Sequence, residues 1–459
     1  MRKISLIIAL FSAQVFSAQP MSLSLAEAKE KALIMNRDAQ LSALALEKAE
    51  RVVKETLAIG LPQVNASASF QNFLNVPTTV LPDFISPAVY SVLIAEDLVP
   101  DGSGGTPGFI PAQFGTNYTA SAGASLSQLL FNGSYLIGLQ AAKSYVEFSK
   151  IQKVRKDLDV KESVAQAYYT ALLSAQNTSV LRESAITLDA MLKDMDAMYA
   201  EGFIEEQDVM QMRLTLNTLK SQIQNSERQE SLTKQLLNFQ IGLPLEQELT
   251  LTDNLASLTT DPSTNALLAT ADPDLSLHPD MQLSDANVML QNLRLKEQKS
   301  HYWPSLNGFF NYQKQAQRNE FNFFETDQEW FPSTVWGLNF SLPIFSSGMK
   351  HHQVVQKEIG VKEAVLMREQ AESGLELSAE RARSDYMFAI QHYETETENM
   401  SLAQTIRDRT RIKYQEGVNS SFELNEMENQ FIQAQGRKIQ ASLNLLNALT
   451  AFQKAYNTL

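Results

Sequence analysis

Leu306-Asn307-Gly308-Phe309-Phe310-Asn311-Tyr312-Gln313 and Val335-Trp336-Gly337-Leu338-Asn339-Phe340-Ser341-Leu342 both alternate with a period of two. Leu306, Gly308, Phe310 and Tyr312 fall on one face, and Asn307, Phe309, Asn311 and Gln313 on the other. Trp336, Leu338, Phe340 and Leu342 likewise oppose Val335, Gly337, Asn339 and Ser341. Successive strand side chains point to opposite faces, so each stretch reads as a strand with one apolar and one small, polar side. Two earlier stretches repeat the pattern. Val64, Ala66, Ala68 and Phe70 alternate with Asn65, Ser67, Ser69 and Gln71. Ala120, Ala122, Ala124 and Leu126 alternate with Ser121, Gly123, Ser125 and Ser127. Their lengths approach the roughly 9 to 11 residues of a tilted transmembrane strand. The three Trp, Trp303, Trp330 and Trp336, all lie in or beside the later strand pair, as an interfacial aromatic girdle would have it. A water-soluble sheet covering a core is the competing reading.

The prolines point to very long helices around these strands. None of the 15 occurs from Ala112 to Leu243 or after Pro343, leaving Pro-free tracts of 132 and 116 residues. An interior Pro costs a helix about 3 kcal/mol. Leu181, Ala185, Leu188, Leu192, Met195 and Tyr199 alternate spacings of four and three, as do Val209, Met212, Leu216, Leu219 and Ile223. These are facing heptad seams.

The two halves repeat. Asn36-Arg37-Asp38-Ala39-Gln40-Leu41 matches His278-Pro279-Asp280-Met281-Gln282-Leu283; Leu61-Pro62 matches Trp303-Pro304; Leu129-Leu130-Phe131 matches Pro343-Ile344-Phe345; Tyr199-Ala200-Glu201-Gly202 matches Tyr414-Gln415-Glu416-Gly417. Four landmarks in one order indicate a duplicated unit. The first repeat is expected over 19–241: one helix from about Leu25 to Ile59, strands about 62–75 and 117–131, a long helix 133–199 and a return helix 205–241. A linker is expected over 242–273. The second repeat is expected over 274–459: a helix, strands about 304–318 and 333–345, a long helix 348–414 and a return helix 420–456. The longer insert of the first repeat, about 76–116, is Pro- and Gly-rich and reads as a loop at the cell surface.

Met1-Arg2-Lys3, an apolar run to Phe11 and small residues to Ala18 form a signal peptide over 1–18, with cleavage after Ser17 the competitor to Ala18. Its removal takes the net charge from −14 to −16, 36 basic against 52 acidic residues, which speaks against nucleic-acid binding. The absence of Cys excludes disulfides, thiolate metal sites and a lipid-modified Cys. No later stretch approaches the roughly 20 apolar residues of a spanning helix. Four strands cannot close a barrel across a membrane, and lipid does not tolerate open edges, so several chains must contribute strands to one symmetric tube.

In these features, over about residues 22–459, the chain resembles the TolC-type outer-membrane efflux proteins. The carriers are the tandem units, Leu61-Pro62 and Trp303-Pro304, Phe131-Asn132-Gly133 and Phe345-Ser346-Ser347-Gly348 at the strand-to-helix junctions, and the Tyr-x-Glu-Gly turns. The resemblance implies a mainly α protein with four strands per chain, closed as a twelve-stranded β-barrel in a homotrimer above a long α-helical barrel, and makes 242–273 an equatorial linker. It implies an outer-membrane location among lipid, with a long periplasmic portion. The partners would be a periplasmic adaptor (membrane fusion) protein and an inner-membrane pump of a tripartite efflux or type I secretion system.

Gly202 and Gly417 each end a helix where a left-handed residue is needed. Ser420-Ser421-Phe422-Glu423 fits a capping box, and Glu426 lies one turn on. The resemblance places these turns at the periplasmic entrance, makes Glu423 and Glu426 an acidic ring there, and makes Tyr414 and Asp208 a gate contact. On residues alone, Glu423 is a capping group, Glu426 a solvated side chain, Tyr414 a packed helix-end aromatic and Asp208 a helix N-terminal charge. Asn419 stands where the best-known relatives carry Arg. No phosphate loop, His-Glu-x-x-His or Gly-x-Ser-x-Gly occurs, and adjacent His351-His352 would face different ways on a helix. The expectation is no enzyme, no catalytic residue, no cofactor and no metal. A coiled-coil surface adhesin and a periplasmic adaptor are the alternatives.

Overall fold

The computed structural model describes residues 21–104, 106, 108–255, 258 and 274–459. The expected signal peptide, and positions 256–257 and 259–273 of the expected linker, lie outside the described residues. Two compact units divide the chain: one from residues up to 51, 143–292 and 358–459, the other from 52–142 and 293–357. Each unit draws on both halves of the sequence, so the repeats run through the spatial units rather than coinciding with them.

In the second of these units, β2 (Gln63–Asn72), β5 (Tyr118–Asn132), β7 (Ser305–Arg318) and β8 (Phe331–Ser341) form an antiparallel sheet in the order β2-β5-β7-β8. The register aligns the alternating faces. Val64, Leu126, Phe310 and Trp336 stand in one row, and Asn65, Ser125, Asn311 and Val335 in the next. Rows of the apolar face thus alternate with polar rows across the whole sheet, as the period of two requires. On the polar face Phe309 is an exception with a cause. Its ring lies over Gly337, where a Cβ would come within 2.8 Å of its Cζ, and covers that edge-strand glycine. β8 ends at Ser341, short of the expected 345, because Pro343 has no N–H for a ladder; Pro332 is tolerated because β8 is an edge strand.

The insert of the first repeat is more than a loop. It holds β3 (Thr78–Pro82) paired with β4 (Phe109–Gln113), and α3 (Ile85–Ala95) between them. Asp83 starts α3 by accepting hydrogen bonds from the Ile85 and Ser86 amides. The Phe73 amide donates to the Asn117 carbonyl at 2.7 Å and closes the base of the insert.

The other unit is helical. The helix expected over Leu25–Ile59 is two: α1 (Leu25–Met35) and α2 (Arg37–Ile59). Asn36 between them is extended, and its side chain accepts from the Asp38 and Ala39 amides, capping α2, while donating to the Gln240 carbonyl at 2.6 Å. The long helices are α4 (Gly133–Ala200) and, in the second repeat, α7 (Met349–Gln415); their return helices are α5 (Glu206–Ile241) and α8 (Ser421–Ala455). α6 (Pro279–Ser300) precedes β7. A parallel pair, β1 (Met21–Leu23) with β6 (Leu249–Leu251), has no counterpart in the sequence reading. Tyr168, fully buried, donates its hydroxyl to the Leu23 carbonyl, and Leu237, Ile241 and Leu249 join it in one apolar cluster.

Between α4 and α5 the expected seam forms from Leu181, Leu188, Met195, Val209, Met212, Leu216 and Leu219, joined by Met191. Tyr199 departs from it and is exposed at the helix end. Among the described residues no helix is long and apolar enough to cross a membrane.

α5 ends on Gly242 at φ +95°, with the Leu243 amide returning to the Asn238 carbonyl. A Cβ there would strike the Met35 carbonyl. Gly242→Ala combines a left-handed strain with a backbone clash and should cost about 2 kcal/mol or more, read as a lower denaturant midpoint of the purified protein.

Candidate functional site at the hairpin turns

Both hairpin turns close identically. The Gly202 amide donates to the Tyr199 carbonyl and the Phe203 amide to the Met198 carbonyl; Gly417 and Val418 repeat this with Tyr414 and Lys413. Gly202 has φ +80° and Gly417 φ +74°, the left-handed conformation that ends a helix in this motif. The apolar residue that follows each glycine, Phe203 or Val418, is exposed.

The helices that leave the turns begin differently. On α5, Glu205 occupies the capping position without a side-chain hydrogen bond. On α8, Ser420 and Glu423 form the full capping box: the Ser420 hydroxyl accepts from the Glu423 amide at 3.2 Å, and the Glu423 carboxylate from the Ser420 amide at 3.1 Å. Glu426 is exposed and accepts from the Gln430 side chain at 3.0 Å. Glu423 and Glu426 therefore stand on the exposed side of the first turns of one helix.

Tyr414 and Asp208 do not hydrogen-bond to each other within one chain. Asp208 accepts the Ser421 hydroxyl, an inter-helix contact between α8 and α5. The Tyr414 hydroxyl is buried without a hydrogen-bond partner among the described residues. Burial, then the charges of Asp208 and Asp194, push its pKa up, which places Asp208 in its electrostatic neighbourhood.

The sequence reading passed over the inward face of α8. Ser421, Asn425 and Glu428 are buried there: Ser421 meets Asp208 of α5, Glu428 lies near Arg407 and Arg411 of α7, and Leu424 between them joins Val209, Met212 and Leu216 of α5. Glu428 is only 2% exposed, and one of its carboxylate oxygens has no partner. Its spacing from Ser421 and Asn425 was the available signal: three polar residues at helix-face positions.

The three Trp do not share a level of the sheet. Trp303 precedes β7, where it lies against Gly133; Trp330 packs on Phe323 at the opposite end; Trp336 projects midway along β8, opposite Phe310. At the Trp330 end, Phe70, Tyr118, Phe321, Phe323 and Phe324 form a further aromatic cluster that the sequence reading missed. Among the described residues no group of His, Cys, Asp or Glu is arranged to hold a metal.

Residues 274–458 match the model of the outer membrane efflux protein family. Nearly the whole chain shares its fold with solved outer-membrane channels. For the CmeC channel of Campylobacter jejuni the TM-score is 0.67 at 17% identity, covering 95% of this chain and 85% of that one. For the VceC protein of Vibrio cholerae it is 0.66 at 14% identity, with 94% and 95% covered. For the open-state MtrE channel of Neisseria gonorrhoeae it is 0.66 at 16% identity, with 94% and 88% covered. The chain resembles the TolC-type outer-membrane efflux proteins. No curated protein matches it in sequence.

Within this efflux-protein fold the two hairpins are held by different chemistry. α4 and α5 bury an apolar seam near their turn and a polar Thr178–Ser226 contact farther along, whereas the α7–α8 pair buries Thr410, Asn425 and Glu428 beside Leu424 nearer its turn and Glu396, paired to Arg437 at 3.3 Å, farther along. Burial raises the pKa of Glu428, opposed by Arg407 and Arg411. A carboxyl whose folded pKa lies above its unfolded value binds more protons when folded, so its contribution to stability is present at low pH and lost as pH rises through the folded pKa. Glu428→Gln should therefore stabilise the α7–α8 hairpin at pH 7, and this gain should shrink as pH falls toward 4.5, as read by hydrogen exchange of its amides.

Proposed function

We propose that three copies of this chain form an outer-membrane channel, a passive exit duct for solutes delivered by an inner-membrane pump through a periplasmic adaptor. The sheet carries this reading: its two outer strands, β2 and β8, have no further strand partner among the described residues, and its faces are apolar and polar in aligned rows. An apolar face suits lipid, a polar face suits a water-filled lumen, and unpaired edges in lipid require neighbours. Twelve strands from three chains close that barrel, with the long helices continuing the lumen into the periplasm. Trp303 and Trp330 at opposite ends of β7–β8 suit the two membrane–water interfaces. The duct performs no catalysis, uses no cofactor and binds no nucleic acid.

The turns at Gly202 and Gly417 form the periplasmic entrance in this reading. Glu423 and Glu426, three copies of each, attract cations there. Tyr414 and Asp208 contribute to the closed state, supported by the unpartnered Tyr414 hydroxyl, for which a neighbouring hairpin is the available source of an acceptor. The capping box holds Glu423 in place, so the ring is presented on a rigid helix start.

Full-length protein purified in detergent should have the mass of a trimer and conduct ions in planar bilayers; a monomer without conductance would sink the proposal. Glu423→Gln with Glu426→Gln preserves the capping geometry while removing the charge, and should weaken block by trivalent cations several-fold. Tyr414→Phe should raise single-channel conductance without lowering the unfolding midpoint, since the lost hydroxyl has no partner within the chain.

A further inference from the structure

The insert between β2 and β5 carries the most apolar helix among the described residues, and the rest of them leave none of it buried. α3 contains no charged residue and no buried one. Ile85, Val89 and Val92, spaced four and three apart, form an exposed stripe, with Val92 61% exposed, and Phe84 and Leu98 extend it. Such a stripe is a docking face.

The sheet topology says what lies beside it. β2 is an edge strand, and Asn72, Tyr118 and Arg318 share one row at its exit. The insert therefore leaves the sheet at the same end as the β7–β8 loop, residues 319–330. When β8 of one copy lies beside β2 of the next, the loop of the first abuts the insert of the second. That loop is a built platform. Arg318 donates to the Asn322 and Glu329 carbonyls and stands over the Phe323 ring at 5.1 Å. Phe321 and Phe323 pack on Phe70 and Tyr118, while Phe324 is left 90% exposed. Neither segment 73–117 nor 319–330 contains a Lys or Arg, and both are acidic, which disfavours an anionic lipid headgroup surface as the occupant.

We propose that α3 of each copy docks through Ile85, Val89 and Val92 on the Phe324 side of the β7–β8 loop of the neighbouring copy, as a clasp across each seam of the barrel. This rests on the trimeric reading above. It makes the insert an inter-subunit clasp at the cell-surface end rather than a free loop.

The chain contains no Cys, so disulfide trapping needs no background removal. Full-length Val92→Cys/Phe324→Cys and Val89→Cys/Phe324→Cys, oxidised with copper phenanthroline, should give dimer and trimer bands on non-reducing gels several-fold above any single-Cys variant. The mass of each variant in detergent is measured in parallel by light scattering. A trimer without the disulfide ladder overturns the clasp and leaves the channel reading standing. A ladder from Val92→Cys alone means that α3 meets α3 and also overturns it. Quenching of a bimane on Val92→Cys by brominated phospholipid assigns the face to lipid and likewise overturns the clasp. A monomeric mass overturns the trimer and the clasp together.

Discussion

Two unsatisfied strand edges govern this molecule. Each edge of β2-β5-β7-β8 presents backbone N–H and C=O groups with no ladder partner among the described residues. In water such an edge is an aggregation hazard; in lipid every unpaired group costs several kcal/mol. The apolar rows of Val64, Leu126, Phe310 and Trp336 suit the sheet to lipid, and the edges then forbid the chain to stand there alone. In the proposed channel, assembly thus follows from backbone hydrogen bonding rather than from a particular interface patch. A cyclic ring in which β8 meets β2 joins unlike edges, and that heterologous contact ends only when the ring closes.

The same duplication that supplies four strands supplies two hairpins, and these have diverged. Their turns are superimposable in hydrogen-bond pattern, from Tyr199 to Phe203 and from Tyr414 to Val418. Their seams are not alike. Val209, Met212, Leu216 and Leu219 give α5 an apolar contact whose loss exposes large side chains to water. On α8, Ser421, Asn425 and Glu428 are buried beside Leu424 and Phe431, so polar groups share that face with an apolar contact to α5. The hydrogen bond from Ser421 to Asp208 and the packing of Leu424, Tyr414 and Ile432 on the α4–α5 seam join the two hairpins.

Strands and long helices were legible because their signals are local and periodic. Alternation gave the faces of β7 and β8, missing prolines gave the long helical tracts, and the glycines at the strand-to-helix junctions and the hairpin turns gave the ends of α4 and α7. The break at Asn36 was not legible, because the extended residue is held by the Gln240 carbonyl, some 200 positions away. The β1–β6 pair failed to show for the same reason: three-residue strands carry no period, only a partner. The insert was read as a loop because 11 of the 41 residues from 76 to 116 are Pro or Gly, although Ile85–Ala95 is an uncharged, mainly apolar helix and 78–82 pairs with 109–113 as a hairpin. At the turns, the glycines and the capping box followed from local chemistry. The partners of Asp208 and Tyr414 did not, since both depend on which helix face meets which.

In the proposed trimer, Glu423 serves a local rule and an assembly-level role with one side chain. A capping glutamate is restrained by its own N-cap amide, at 3.1 Å here, and an unrestrained carboxylate at a helix start would swing through several rotamers. Repeated around a threefold axis, a restrained carboxylate makes a ring of defined radius, whereas a free one makes a diffuse cloud of charge. Glu426, held only by Gln430 on its own helix, belongs to the looser kind. The two carboxylates therefore differ in what they offer a cation: Glu423 a fixed point, Glu426 an adaptable second contact one turn further along α8.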